Sequence, residues 1–182
     1  MHVEFDVTPY NRARKHAGGA RSTVSGFGDL TVKVKQELGG SGGFSAAIYP
    51  FVKLPTASRR IGNGKVEAGL VVPLVYVIAN TPWSLATSPE IDVAADADGH
   101  GYHTAMAQAI GLSLAANDRL SIGAELWGAW DWNPAGTSRQ ASVSGNAAYR
   151  LNDNLQIDGQ ADFGLNKSTA DVEIGAGISA RF

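Results

Sequence analysis

Cysteine is absent, which excludes disulfides, thiolate metal sites and a cysteine nucleophile. No long uninterrupted apolar run occurs, so a transmembrane helix, which needs about 18 such residues, is excluded. A membrane barrel is not, because its strands alternate and escape a hydropathy window. Basic charge is not in excess: 15 Lys and Arg against 17 Asp and Glu give a net charge of −2. Nucleic-acid binding, which leaves a basic footprint, is therefore not expected. The opening "MHVEFDVTPY" lacks the basic start, apolar middle and cleavage site of a secretory leader. Either the chain is a mature or truncated form, or it is not exported. What is abundant is glycine, 22 residues, in a chain of 182 that is 44% hydrophobic. That length predicts one domain spanning residues 1–182.

The dominant pattern is alternation. In the closing "VEIGAGISARF", Val172, Ile174, Ala176, Ile178, Ala180 and Phe182 share one side of an extended strand, and Glu173, Gly175, Gly177, Ser179 and Arg181 share the other. Period-two segments predict ten strands, near 2–10, 27–38, 43–55, 65–79, 83–95, 102–116, 119–132, 139–151, 154–166 and 171–182. "HTAMAQAIGLSLAA" suits a helix on propensity, but its neighbours and the lack of other helical patterns favour a strand.

The connections alternate too. "GGSGG", "NTP", "NDR" and "NDN" are short turn formers, whereas "NRARKHAGGARSTVSG", "TASRRIGNGK", "ADADGHGY", "NPAGTSR" and "NKSTA" are longer and read as loops. Short turns at one end and long loops at the other is the asymmetry of an outer-membrane barrel. The fold class expected is all-β, a single antiparallel up-and-down transmembrane β-barrel of about 10 strands, with 8 or 12 as alternatives.

Sorting each strand by face gives one apolar and one hydrophilic side. Leu70, Val72, Leu74, Ile122, Leu126, Ile157, Phe163, Ile174 and Ile178 are expected to face lipid. The charged residues expected to line the lumen are Asp29, Lys33, Lys35, Lys53, Glu67, Glu90, Asp92, Glu125, Asp131, Arg150, Asp158, Asp162, Glu173 and Arg181. Three features favour lipid on the apolar side. No separate apolar element is present to cover a soluble core. The hydrophilic side gathers most of the acids with several bases, which suits ion pairing across a lumen. Aromatics collect near strand ends, with Trp83 after a short turn and Trp127, Trp130 and Trp132 before a long loop, like two interfacial girdles.

The segments "SGFGDLTVKVKQEL", "FSAAIYPFVKLPTA", "GNGKVEAGLVVPL" and "WSLATSPEIDV", in that order, resemble the meta-pathway phenol-degradation family of outer-membrane, transporter-like β-barrels. The resemblance runs from about Gly26 to Phe182. It implies an outer-membrane location and passage or binding of small aromatic compounds, and it supplies no catalytic residues. Phe182 is similar to the C-terminal aromatic by which the barrel-assembly machinery recognises its substrates, which makes it an assembly signal. Members of the family begin with a leader and further strand sequence, whereas this chain starts directly on "HVEFDV".

Other motifs favour plain readings. "DADGHGYH" brings Asp96, Asp98, His100 and His103 together like the start of a calcium loop, but the Glu at the twelfth position is missing and a solvated loop is expected. The acids Glu90, Asp92, Glu125, Asp131, Asp158 and Asp162 could form acid/base pairs. In a narrow barrel they are better explained as a salt-bridge lattice with the lumen bases, one that also bears on ion selectivity. No Gly-x-Ser-x-Gly elbow is found, and "GNGK" lacks the spacing of a phosphate loop. The loop cations Arg12, Arg14, Lys15, Arg21, Arg59, Arg60 and Lys65 suit either anionic lipid heads or simple solvation. The expectation is a non-enzymatic narrow pore or passive transporter for small solutes, with no catalytic residues, metal or cofactor. Its partners would be outer-membrane lipid, the assembly machinery and a small-molecule solute. The alternative is a non-transporting structural or binding barrel with a plugged lumen.

Overall fold

The computed structural model describes the backbone of residues 2–7, 11–17, 20–58 and 61–180, and the side chains of residues 26–58 and 61–180. Among these there is no helix. The strands are β1 (His2–Val7), β2 (Asn11–Ala17), β3 (Ala20–Gly26), β4 (Leu30–Ser41), β5 (Phe44–Leu54), β6 (Glu67–Val71), β7 (Leu74–Val77), β8 (Trp83–Ala95), β9 (Tyr102–Ala115), β10 (Leu120–Asp131), β11 (Ser138–Asn152), β12 (Leu155–Gly164) and β13 (Val172–Ala180). Eleven of them form one sheet in the order β1-β4-β5-β6-β8-β9-β10-β11-β12-β13, with β7 also between β5 and β8. Every pairing is antiparallel. Since β6 and β7 lie on one line, the sheet has ten staves, and the Ala-rich segment is the strand β9.

Two expectations need correction. "NRARKHAGGARSTVSG" is not a loop in its backbone: β2 and β3 pair from Asn11↔Gly26 to Ala17↔Ala20 as a separate two-stranded hairpin. Its Gly, Lys and Arg content hid the strands, and the side chains of Arg12, Arg14, Lys15 and Arg21 lie outside the described residues. The strand predicted over 65–79 is broken at Val72 and Pro73. The Val72 N–H donates to the Pro89 carbonyl over 2.9 Å. Pro89 has no N–H to return, so this rung keeps one bond where two are usual.

The turns follow from local chemistry. Gly42 and Gly43 close the β4–β5 hairpin with φ of 60° and 86°, left-handed values that glycine adopts without a Cβ clash. Between β9 and β10 the Asn117 side chain accepts from the N–H groups of Arg119 and Leu120, each at 2.9 Å. Asn152 caps the two-residue β11–β12 turn by accepting from Asn154 N–H.

No large side chain is fully buried among the described residues, and the buried side chains are small or charged: Asp29, Ala47, Ala95, Ser142 and Ser144. Four of them, Asp29, Ala47, Ser142 and Ser144, belong to the hydrophilic face, as Ser142↔Trp127, Ser144↔Glu125 and Glu37↔Ala47 show, whereas Ala95 at the end of β8 shares its parity with Ile91 and Val93. On the other face Ile174 is 78% and Ile178 75% exposed, and Leu70, Ile122, Leu126, Ile157 and Phe163 are also exposed. The hydrophilic face is therefore the concave one, where small residues are screened by curvature, and the apolar face is convex. A soluble sandwich or barrel would have the reverse arrangement. Polar residues on the outer face find partners of their own: Gln108 Nε2 donates over 2.5 Å to Thr87 Oγ1 and to the Ala109 carbonyl.

Candidate functional site

The concave wall carries the candidate chemistry, and register decides who meets whom. At the loop end, β5 pairs Lys53 with Thr31 of β4 and Glu67 of β6. Lys53 Nζ forms an ion pair with Glu67 Oε2 and lies 3.5 Å from Asp29 Oδ2. Asn63 ties the knot: its Nδ2 donates to Glu67 Oε1 over 2.7 Å, and its Oδ1 accepts from Lys53 Nζ at 3.3 Å. Asp29 Oδ1 accepts from Ala57 N–H and Glu67 Oε1 from Ala95 N–H, both at 2.9 Å. One lysine thus holds two carboxylates while backbone donors fill the remaining lone pairs, which satisfies the demand that buried charges be paired and hydrogen-bonded. "GNGK" supplies Asn63 to this knot and is a structural loop.

Further around the wall, His103 of β9 stands between two acids. Its Nδ1 is 2.7 Å from Asp96 Oδ1 and its Nε2 is 2.9 Å from Asp131 Oδ1, with the imidazole side chain only 6% exposed. The Nε2 contact lies outside hydrogen-bond geometry. The rest of the loop is self-contained, since Asp98 Oδ1 accepts from His100 N–H at 2.8 Å. Among the described residues, no group of three His, Asp or Glu side chains is arranged to hold a metal ion.

Toward the middle, Glu90 and Asp92 lie two residues apart on β8, facing Val71 and Gly69 of β6. They interact with each other, and Lys33 acts on Glu90 across the wall. Gly69 leaves room for both groups, because a Cβ on it would meet Asp92 Oδ1 and the Phe51 ring and force these side chains to shift. Near the turn end Lys35 sits 3.6 Å from Glu37 and 5.6 Å from the centre of the Tyr49 ring, a surface-strength ion pair joined to a cation–π contact.

The wall of β10 to β13 differs. Glu125, Ser144, Asp162 and Glu173 form one continuous rung through the pairs Glu125↔Ser144, Ser144↔Asp162 and Asp162↔Glu173. Asp158 lies further along β12, opposite Ala148 and Gly177. Among the described residues none of these four acids enters a salt bridge, and neither does Arg150 near the β11–β12 turn. A cavity of about 410 Å³ opens above this rung, lined by Glu125, Trp127, Gln140, Gln160, Asp162 and Glu173 among others.

The fourteen sequence-predicted wall residues therefore share one face wherever they are described. Asp29, Lys53 and Glu67 are brought together, as are Lys33, Glu90 and Asp92. Asp131 meets His103, Lys35 meets Glu37, and Glu125, Asp158, Asp162, Glu173 and Arg150 remain separate from any ion pair among the described residues. Arg181 and Phe182 lie outside the described residues, as do Arg59 and Arg60. Trp127 was expected in the outer girdle, but it pairs with Ala109 and Ser142 on the concave face. Its odd number, shared with Glu125 and Asp131, was the signal. His103, held between Asp96 and Asp131, and Asn63, whose loop folds back onto Lys53 and Glu67, have roles that the three-dimensional contacts reveal.

No curated protein matches the sequence. Among solved structures the fold is similar to the NanC porin in its rhombohedral crystal form, with 9% identity and a TM-score of 0.65 over 99% of this chain and 98% of that one. At that identity the likeness shows the fold, an all-β antiparallel barrel with ten staves described here. A family model described as "Putative MetA-pathway of phenol degradation" matches residues 4–182, and the chain belongs to that family.

Proposed function

We propose that the protein is an outer-membrane pore that lets small solutes, including small aromatic compounds, pass along its concave wall. The observation that carries the reading is the inversion of faces. Large apolar side chains such as Ile174 and Ile178 are about three-quarters exposed, while charged and amide side chains gather inside. Such a surface suits hydrocarbon outside and water inside. The likeness to a porin supports the pore over an enzyme, and the family's description supports aromatic solutes. No residue is assigned a catalytic role. Outer-membrane lipid and the barrel-assembly machinery are the partners this reading requires, with Phe182 as the assembly signal.

The test is planar-bilayer recording on the protein reconstituted from detergent, paired with swelling of liposomes in benzyl alcohol and in sugars of increasing size. Discrete current steps and solute entry are expected. A barrel that inserts fully yet passes neither ions nor solutes would be the plugged structural or binding module instead.

A further inference from the structure

Trp127 is out of place in two ways. Trp83 and Trp130 lie on the convex face by register, opposite Leu114 and Arg139, whereas Trp127 lies on the concave one. It also stands in a clearing. Its register partners are Ala109 and Ser142, and the next residues along that rung are Ser88 and Gly164. Its same-face neighbours on β9 and β10 include Ala107, Gly111 and Ala129. Nothing of comparable size packs over the indole from these positions, and the cavity of about 410 Å³ lies against it. A pocket of that volume is within the range that holds a small organic ligand.

The walls of the cavity define the ligand's chemistry. An indole face attracts another ring by offset stacking and attracts a cation through its negative quadrupole. Around it stand Glu125, Asp162 and Glu173, with no base in an ion pair with any of them, and the amides of Gln140 and Gln160. Gln160 Nε2 already donates to Asp162 Oδ1 over 2.7 Å, which fixes that carboxylate against the wall. The Gln140 amide donates to the Ser168 carbonyl at 3.0 Å, tying the β12–β13 loop over the same cavity. Carboxylates repel an anionic ligand and welcome a cationic one.

Resting on the pore reading above, we infer that this cavity is a solute site in which Trp127 is the stacking plate, and that it selects small aromatic rings bearing a positive group over rings bearing a carboxylate. Trp127 sets the preference for a ring. Glu125, Asp162 and Glu173 set the sign of its charge.

Benzylammonium, cyclohexylmethylammonium and benzoate separate these two roles, because the first two share charge and size and differ in the ring. Binding to the full chain is measured by calorimetry in detergent micelles, and interruption of the current in bilayers provides a second reading. Benzylammonium is expected to bind about 2- to 10-fold more tightly than its cyclohexyl counterpart, the range that an aromatic pair contributes, and benzoate to bind more weakly than either. Trp127→Leu should abolish the ring preference while leaving the weaker affinity for the cyclohexyl amine, and Trp127→Phe should retain the preference. Equal affinity of wild-type protein for the two amines overturns the stacking role, whatever the variants do. Binding of benzoate as tight as that of benzylammonium overturns the charge role. Binding in micelles does not need an open pore, so a ring preference without any bilayer current leaves the site standing and removes the pore, while current without ring preference does the reverse.

Discussion

The two arcs of the concave wall solve the problem of interior charge differently. From β4 to β9 acids meet bases or imidazole: Lys53 with Asp29 and Glu67, Lys33 near Glu90, Lys35 with Glu37, and His103 with Asp96 and Asp131. That arc is also the irregular one, with a register shift between Glu37 and Gly39 and a stave broken beside Pro89. From β10 to β13 the ladder is nearly unbroken, and, apart from Asp131 at the end of β10, the acids are spread along rungs without salt-bridge partners among the described residues. The contrast teaches a division of labour: one arc uses charge to hold loops and strands in place, and the other leaves carboxylates outside any ion pair among the described residues. It also predicts that the same kind of substitution has opposite consequences on the two sides.

The largest effect is expected at the knot. Lys53→Met leaves Asp29, only 7% exposed, and Glu67 facing each other without a cation. Breaking a buried pair by removing one partner costs roughly 3–5 kcal/mol. Lys53 retains 24% exposure, so a value near the lower end, about 3 kcal/mol, is expected in urea unfolding from lipid vesicles. A loss below about 1 kcal/mol would show that the knot is no stronger than a surface pair.

Next comes the convex face, which should treat both arcs alike. Leu126 is 57% exposed and lies near the middle of β10, opposite Ile110 and Val143. Leu126→Arg should cost about 2–4 kcal/mol if this band meets the bilayer midplane. Its neighbour Glu125 points to the other face, so Glu125→Gln should leave folding nearly unchanged. Equal tolerance of both substitutions in vesicles would contradict the face assignment.

A smaller, purely functional effect is expected on the open arc. Asp162→Asn and Glu173→Gln remove charges that hold no ion pair among the described residues, so stability should shift by no more than about 0.5 kcal/mol. Cation preference should fall instead, read as a reversal potential that moves toward zero in a salt gradient. A stability loss comparable with that of Lys53→Met would erase the distinction between the arcs.

Much of this was legible in the sequence, for a physical reason. Period two sorts side chains without knowing which strand lies beside which, so the charged residues named from the sequence share one face by register wherever they are described. The turns were legible because Gly42-Gly43 and Asn117 carry their own geometry. Partners were not, because the meeting of Lys53 with Asp29 and Glu67 depends on register between strands and on a loop that folds back through Asn63. Trp127 was misplaced when position along the strand was weighed above parity. The break at Pro73 was visible in "VVPLV", but an alternating run on both sides masked it. In β2 and β3 the cationic, glycine-rich composition concealed a hairpin whose pairing is set by the backbone.

The finest test concerns two adjacent residues of the open arc. Ile157 pairs with Tyr149 and Ile178 on the convex face, while Asp158 pairs with Ala148 and Gly177 on the concave one. Both lie close to the short β11–β12 turn, so even a charge at 157 should be milder than one at Leu126, because the penalty falls to about 0–1 kcal/mol near an interface. Stability is therefore a weak discriminator at this place, and accessibility is a strong one. The chain has no cysteine, so Ile157→Cys and Asp158→Cys each introduce a single thiol. In vesicles, a water-soluble thiol reagent should label position 158 faster than 157, and a lipid-soluble reagent should reverse the order. Narrowing the lumen with a bulky solute should slow labelling at 158 alone. Faster aqueous labelling at 157 than at 158 would mean that the apolar face is the wet one, and both the pore and the contrast between its two walls would have to be abandoned.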